Sequence, residues 1–227
     1  PEAHRFVDWL AEAGQTLWQV LPLGGIGPGN SPYMSSSAFA GNVLLIDLGE
    51  LQQRGWLGAD DVAPVPGLDA QRIDFGAMVS FRMERLARAA ARFAVQAGAE
   101  ERADLEAFVQ RHADWLPDYA LFMALAEHHG WRDWCEWPDG QSSRTPQALA
   151  AARATHAERI AFWTFCQWCF FRQWQALRSH AHARGVQIVG DMPILTSMGS
   201  PLMSCRARWP RWHRKHRNRS MTCDWKP

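Results

Sequence analysis

Residues 165–194 read FCQWCFFRQWQALRSHAHARGVQIVGDMPI. Around the first half, apolar residues recur at Phe162, Phe165, Cys169 and Trp174, the stripe of a helix. Gly185 is a helix stop. VQIVG, residues 186–190, then forms a short apolar run that predicts a buried parallel strand, and Asp191 stands directly past its end. A helix, a glycine stop and an apolar strand make the αβ step of a parallel sheet.

In parallel α/β folds the carboxyl ends of strands face the active site. Asp191 is therefore a candidate to orient a hydroxyl group or support acid/base chemistry. An aspartate capping the next turn fits its position equally well.

The same step appears at the start of the chain. Ala3, Phe6, Val7, Leu10 and Ala13 share one helix face over residues 2–13, Gly14 stops it, and TLWQVLP, residues 16–22, predicts a short strand. Residues 22–37, PLGGIGPGNSPYMSSS, are too dense in Gly, Pro and Ser for helix or central strand. They form a long loop past the carboxyl end of that strand. A second irregular stretch is expected over 55–76. Helices are expected over 80–97, 100–112 and 118–130. One long or broken helix is expected over 145–184, with Thr145 as N-cap and Pro146 at its first position.

Two strands, each reached from a helix, are thus separated by more than a hundred mainly helical residues. That is too long for a simple crossover, and it predicts a helical subdomain inserted into an α/β sheet or barrel. With only two strands evident, their edges are expected to stay unpaired and their apolar faces uncovered.

In NSPY, residues 30–33, a Ser hydroxyl and a Tyr ring suit a sugar: one hydrogen-bonds, the other packs and donates. Taken alone, the stretch is better read as a Pro-containing turn around a buried Tyr. Tyr33 stands out because Tyr119 is the only other tyrosine. Cys166 and Cys169 have CxxC spacing but lie inside an apolar helix with no second pair, so core packing is expected. Glu127, His128 and His129 fit a ligand set or a polar helix end equally well. GGIGPG is interrupted by Pro28 and Pro32 and argues against a nucleotide loop. WRDWCEWP, residues 131–138, is read as core.

The 227 residues fit one domain, or one with a sizeable insertion, and the 47% apolar content excludes disorder throughout. No apolar run approaches a membrane span, and no signal peptide precedes the first helix. Five cysteines without a disulfide framework predict a reducing, cytoplasmic compartment. Because Pro1 is not Met, the chain is expected to begin inside a longer coding sequence. The net charge of +1 hides a split. Residues 205–227 hold eight of the 24 Lys and Arg and one of the 23 Asp and Glu. An acidic body therefore ends in a basic block.

Three stretches together carry a resemblance: LWQVLPLG…NSPYMSSSAFAGNVLLIDL (17–48), DYALFMALAEHHGW with its following Trp-Pro (118–138), and FFRQWQALRSHAHARGVQIVGDMPI (170–194). In this order and spacing, from about residue 2 to about 194, the chain resembles the 4-α-glucanotransferases of glycoside hydrolase family 77. The resemblance implies α/β architecture, a partial (β/α)₈ barrel with an inserted helical subdomain. Residues 1–54 would be partial barrel, 55–150 the mainly helical insertion, and 151–195 a barrel helix and strand. It implies a 1,4-α-glucan (maltodextrin) substrate, retaining transfer through a covalent glycosyl-enzyme, and no cofactor or metal. It places Ser31 and Tyr33 near the bound sugar and makes Asp191 a residue that helps hold the donor glucose. It assigns no catalytic residue here. The family's nucleophile Asp, acid/base Glu and third catalytic Asp come later in its sequence, and no stretch of this chain matches them, so the chain is expected to be inactive.

Residues 196–227 depart from the family pattern. Their mixture of Arg, Trp, Cys, Ser, Pro and His, without helical or strand period, reads as a shifted frame of GC-rich codons and predicts a disordered, non-family tail. The competing reading is a binding module, taking glucan through the Tyr33 loop or nucleic acid through Lys, Arg and Trp of the tail. No specific nucleic acid, membrane or protein partner is expected.

Overall fold

A computed structural model describes residues 1–63 and 72–191. The expectations for the tail, including Cys205 and Cys223, lie outside the described residues.

Helix α1 (Glu2–Glu12) leads through Gly14, at φ +71°, into strand β1 (Leu17–Gln19). An irregular loop follows, with single 3-10 turns, and then come α2 (Leu48–Gln53) and α3 (Ala59–Val62). Four longer segments build the helical body: α4 (Phe75–Gln96), α5 (Ala99–Arg111), α6 (Leu116–His128) and, after the short α7 (Asp139–Ser142), α8 (Pro146–Thr155). Helix α9 (Ala157–Ala183) runs through the centre and delivers β2 (Gln187–Val189).

Local chemistry sets these boundaries. Thr145 accepts from the Ala148 amide, with Pro146 next in the helix. Gly185, at φ +74°, supplies the left-handed residue that ends α9. The long helix is broken at His156, which separates α8 from α9. Helix α4 begins five residues earlier than the periodicity suggests. Asp74 caps it by accepting from the Ala77 amide, and α3 is a further helical turn inside the stretch expected to be irregular.

The two strands pair with each other in parallel: Leu17 with Gln187, Trp18 with Ile188, Gln19 with Val189. Thus neither strand lacks a neighbour, although each keeps an open outer edge among the described residues. β2 is not the buried strand that VQIVG alone predicts, whereas exposed apolar residues on both strands match the expectation of uncovered faces. Leu17 and Val189 are exposed, and Trp18 and Ile188 are half-buried. The reason is coverage: a parallel strand is buried only with elements on both faces. Here α1 and α9 cover one, through Val7, Leu10, Leu177 and Ala181, which pack with Val186 just before β2.

The main core surrounds α9. Along residues 162–170 the helix is buried all round except at Thr164, because α4, α5, α6 and the segment before α2 enclose it. Trp56, Phe93, Phe165 and Trp168 form an aromatic knot with centroids 5.0–6.0 Å apart. Offset and edge contacts of this kind add to the area they bury. The cluster draws residues from 1–54, 55–150 and 151–195 alike.

Cys166 and Cys169 are core residues, as expected. Burial raises both thiol pKa values. The tryptophans of residues 131–138 are only partly core. Trp137 is buried, Trp134 packs at its edge, and Trp131, at φ +63°, is 60% exposed because the turn after Gly130 directs it outward.

Candidate functional site

The loop between β1 and α2 is built on close backbone approach. A Cβ on Gly27 would lie 2.0 Å from the Met34 carbonyl oxygen, and one on Gly24 would lie 2.8 Å from Ser35 Oγ. The Gly27 amide donates to the Ser31 carbonyl at 3.0 Å. The glycines therefore allow residues 24–27 to lie against residues 31–35. Ser35 and Ser37 are buried beneath and satisfy the loop's own backbone.

Ser31 and Tyr33 occupy the outer turn. The Tyr33 amide donates to Ser31 Oγ at 3.3 Å, opening the 3-10 turn Pro32–Met34. The phenol leaves this turn toward β2. Its hydroxyl donates to Asp191 Oδ2 at 2.7 Å, and both residues are half-buried. The proton is held by the carboxylate, which raises the Tyr33 pKa. Tyr33 is thus not the buried tyrosine that NSPY alone suggests. Tyr119, half-buried beside α9, also has a raised pKa, chiefly from desolvation.

The structure therefore brings Tyr33 into direct contact with Asp191 past the carboxyl ends of both strands, with Ser31 capping the turn that carries Tyr33. The arrangement presents a hydroxyl, a phenol and a carboxylate at a partly open surface. It is suited to orienting a polyhydroxylated ligand.

The other candidates serve packing. Arg159 pairs with both oxygens of Glu127 at 2.6 and 2.8 Å, and Trp163 Nε1 donates to the same carboxylate at 3.2 Å. His129 bonds Gln141, and the His128 ring packs at a tilt against His156. No group of three or more His, Cys, Asp or Glu side chains is arranged to hold a metal among the described residues. A surface depression of ≈ 360 Å³ lies between α7 and α8, lined by His128, Gln141 and His156 among others, with no carboxylate in its lining. It shares no residue with the Tyr33–Asp191 pair, which has the more pertinent chemistry.

Two polar residues that hold the site were missed in the sequence. Gln167 and Gln173 each clamp the backbone of the Tyr33 loop's distal end. A glutamine inside the run FCQWCFF was a legible signal, since a polar group amid buried neighbours must find partners.

The 4-alpha-glucanotransferase family model, glycoside hydrolase 77, matches residues 1–203. The chain belongs to this family. The match runs past Ile194, so the first residues of the stretch 196–227 lie within it rather than outside. A 4-alpha-glucanotransferase of Thermus thermophilus is 45% identical over 208 residues, covering 92% of this chain and 41% of its own. That of Aquifex aeolicus is 39% identical over 202 residues. A solved amylomaltase from Streptococcus agalactiae, in complex with acarbose, superposes with a TM-score of 0.82 at 38% identity, covering 88% of this chain and 40% of the other. The chain therefore spans about two fifths of the length of these relatives. No helix among the described residues is long and apolar enough to cross a membrane.

Proposed function

We propose that this chain is a piece of a 4-α-glucanotransferase. Ser31, Tyr33 and Asp191 contact a bound 1,4-α-glucan, and in the intact enzyme a glucan segment is transferred to a new acceptor 4-hydroxyl with retention. The observation that carries this reading is the Tyr33–Asp191 hydrogen bond. It joins two residues of separate family motifs into one polar surface at the strand ends.

The parallel β1–β2 pair is read as part of a (β/α)₈ barrel comprising 1–54 and 151–195, with 55–150 as the helical insertion. The parallel register and the α9–β2 step support it. The open outer edges of β1 and β2 fit a sheet with further strands. A reducing, cytoplasmic setting is supported by the buried free thiols of Cys166 and Cys169.

By itself the chain binds and does not transfer. Retaining chemistry needs two carboxyl groups about 5–5.5 Å apart across the scissile bond. The family's later motifs, which supply them, have no counterpart in this sequence, and the chain covers 41% of its Thermus thermophilus relative. Incubating the purified chain with maltotriose is expected to release no glucose above a buffer blank, while retention on an amylose matrix persists. Glucose release would overturn the inactivity. Absence of retention would overturn the glucan site.

A further inference from the structure

Two glutamine side chains of α9 imitate strand pairing. The Gly41 amide donates to Gln167 Oε1 at 2.8 Å, and Gln167 Nε2 donates back to the Gly41 carbonyl at 2.9 Å. The Asp47 amide donates to Gln173 Oε1 at 2.6 Å, and Gln173 Nε2 donates to the Asp47 carbonyl at 3.2 Å. Each amide satisfies both polar groups of one residue that has no ladder of its own. Gln167 is fully buried in an otherwise apolar wall. The clamps are six residues apart on α9, about 9 Å along its axis.

These clamps grip the far end of the loop that carries Tyr33. At the near end, β1 is fixed to β2 by a short pairing: the Gln187 amide donates to Thr16 O and the Val20 amide to Val189 O. Between the ends, the Asn42 amide donates to Leu23 O at 2.8 Å and closes the loop beside Gly41. Gly41 is pressed against α9 so closely that a Cβ there would lie 2.0 Å from the Phe170 ring. The same helix continues through Gly185 into β2 and Asp191. One rigid helix thus holds both halves of the pair, the loop through its side chains and the carboxylate through its chain.

We propose that Gln167 and Gln173 are positioning residues, which set the Tyr33 loop on α9 so that the phenol meets Asp191. The short β1–β2 pairing anchors only one end of a loop of more than twenty residues, and the clamps remove the freedom that remains. The proposal rests on the Tyr33–Asp191 pair being the site. Its readouts contain no sugar, so its failure is distinguishable from failure of the glucan reading.

The test uses the scarcity of tyrosine. Tyr33 and Tyr119 are the only two, and desolvation raises the Tyr119 pKa, so ring-carbon NMR follows the Tyr33 ionisation separately in the full chain. In Gln173→Met and Gln167→Met, the Tyr33 midpoint is expected to fall toward the ordinary value of about 10. Glu127→Gln, which weakens the α6–α9 ion pair, is expected to lower the melting temperature and leave Tyr33 unmoved. Unchanged Tyr33 titration in either clamp variant overturns the proposal. The unsubstituted chain gives a second measurement that needs no variant to fold. In a sub-denaturing urea series, the hydrogen-bonded Tyr33 signal is expected to vanish with hydrogen-exchange protection of the Gly41 and Asp47 amides. Loss of the Tyr33 signal while those amides stay protected overturns the proposal.

Discussion

The Tyr33 hydroxyl donates to Asp191 Oδ2 at 2.7 Å, joining two residues 158 positions apart in the chain. A phenol in that bond surrenders its proton reluctantly, because the resulting phenolate would face a carboxylate. Stability from this bond is present below the ordinary tyrosine value and is lost as pH rises through the raised one. Asp191→Asn removes the charge while keeping the shape. The Tyr33 midpoint should drop toward about 10 in a spectrophotometric titration. Tyr119, raised by burial, should not move.

Gly41 has no room for a side chain, since a Cβ would meet Phe170 at 2.0 Å. Gly25 has nothing within 4 Å of that position. Gly41→Ala should therefore destabilise by about 1–3 kcal/mol, the ordinary range for overpacking. Gly25→Ala should stay within about 0.5 kcal/mol. Urea denaturation of both variants compares them directly.

Buried thiols make poor thiolates. Cys166 and Cys169 are enclosed and their pKa values raised, whereas Cys135 is exposed. Brief alkylation of the native chain followed by peptide mapping should label Cys135 and spare the other two. Labelling of all three at equal rates would mean that α9 is not enclosed as described.

Three histidines are held below the ordinary value of 6.5, each chiefly by desolvation: His4, His112 and His156. His112 Nδ1 also accepts from Trp115 Nε1 at 3.2 Å, a bond that only the neutral ring can make in this orientation. Stability from these groups is present above 6.5 and is lost as pH falls through their lowered values. The melting temperature should fall between pH 7.5 and 5, and His112→Phe should make that slope shallower.

Much of this was legible in the sequence, for identifiable reasons. Helix ends followed local chemistry: Thr145-Pro146, Gly14 and Gly185 mark boundaries wherever the chain goes. Ser31, Tyr33 and Asp191 were legible as candidates because they sit in motifs. Their meeting was not, since a contact across 158 residues depends on strand register. VQIVG by itself misled on burial, because apolar composition says what a strand prefers to cover, not whether a neighbour is there to cover it; the count of only two strands, which implies uncovered faces, did not mislead. Trp131 was misjudged likewise, its direction being set by the turn at Gly130. The clamps escaped notice because a glutamine's partners here are backbone groups, and any residue offers those.

Whether the Tyr33–Asp191 pair contacts glucan is read by ring-carbon NMR of the two tyrosines during titration with maltoheptaose. A β-1,4-linked glucan of equal length serves as the control. A glucan-contacting pair gives a saturable shift of Tyr33 with the α-linked glucan alone, Tyr119 unmoved, and the shift abolished in Asp191→Asn. A Tyr33 signal indifferent to maltoheptaose, or one that shifts equally with both sugars, would contradict that contact.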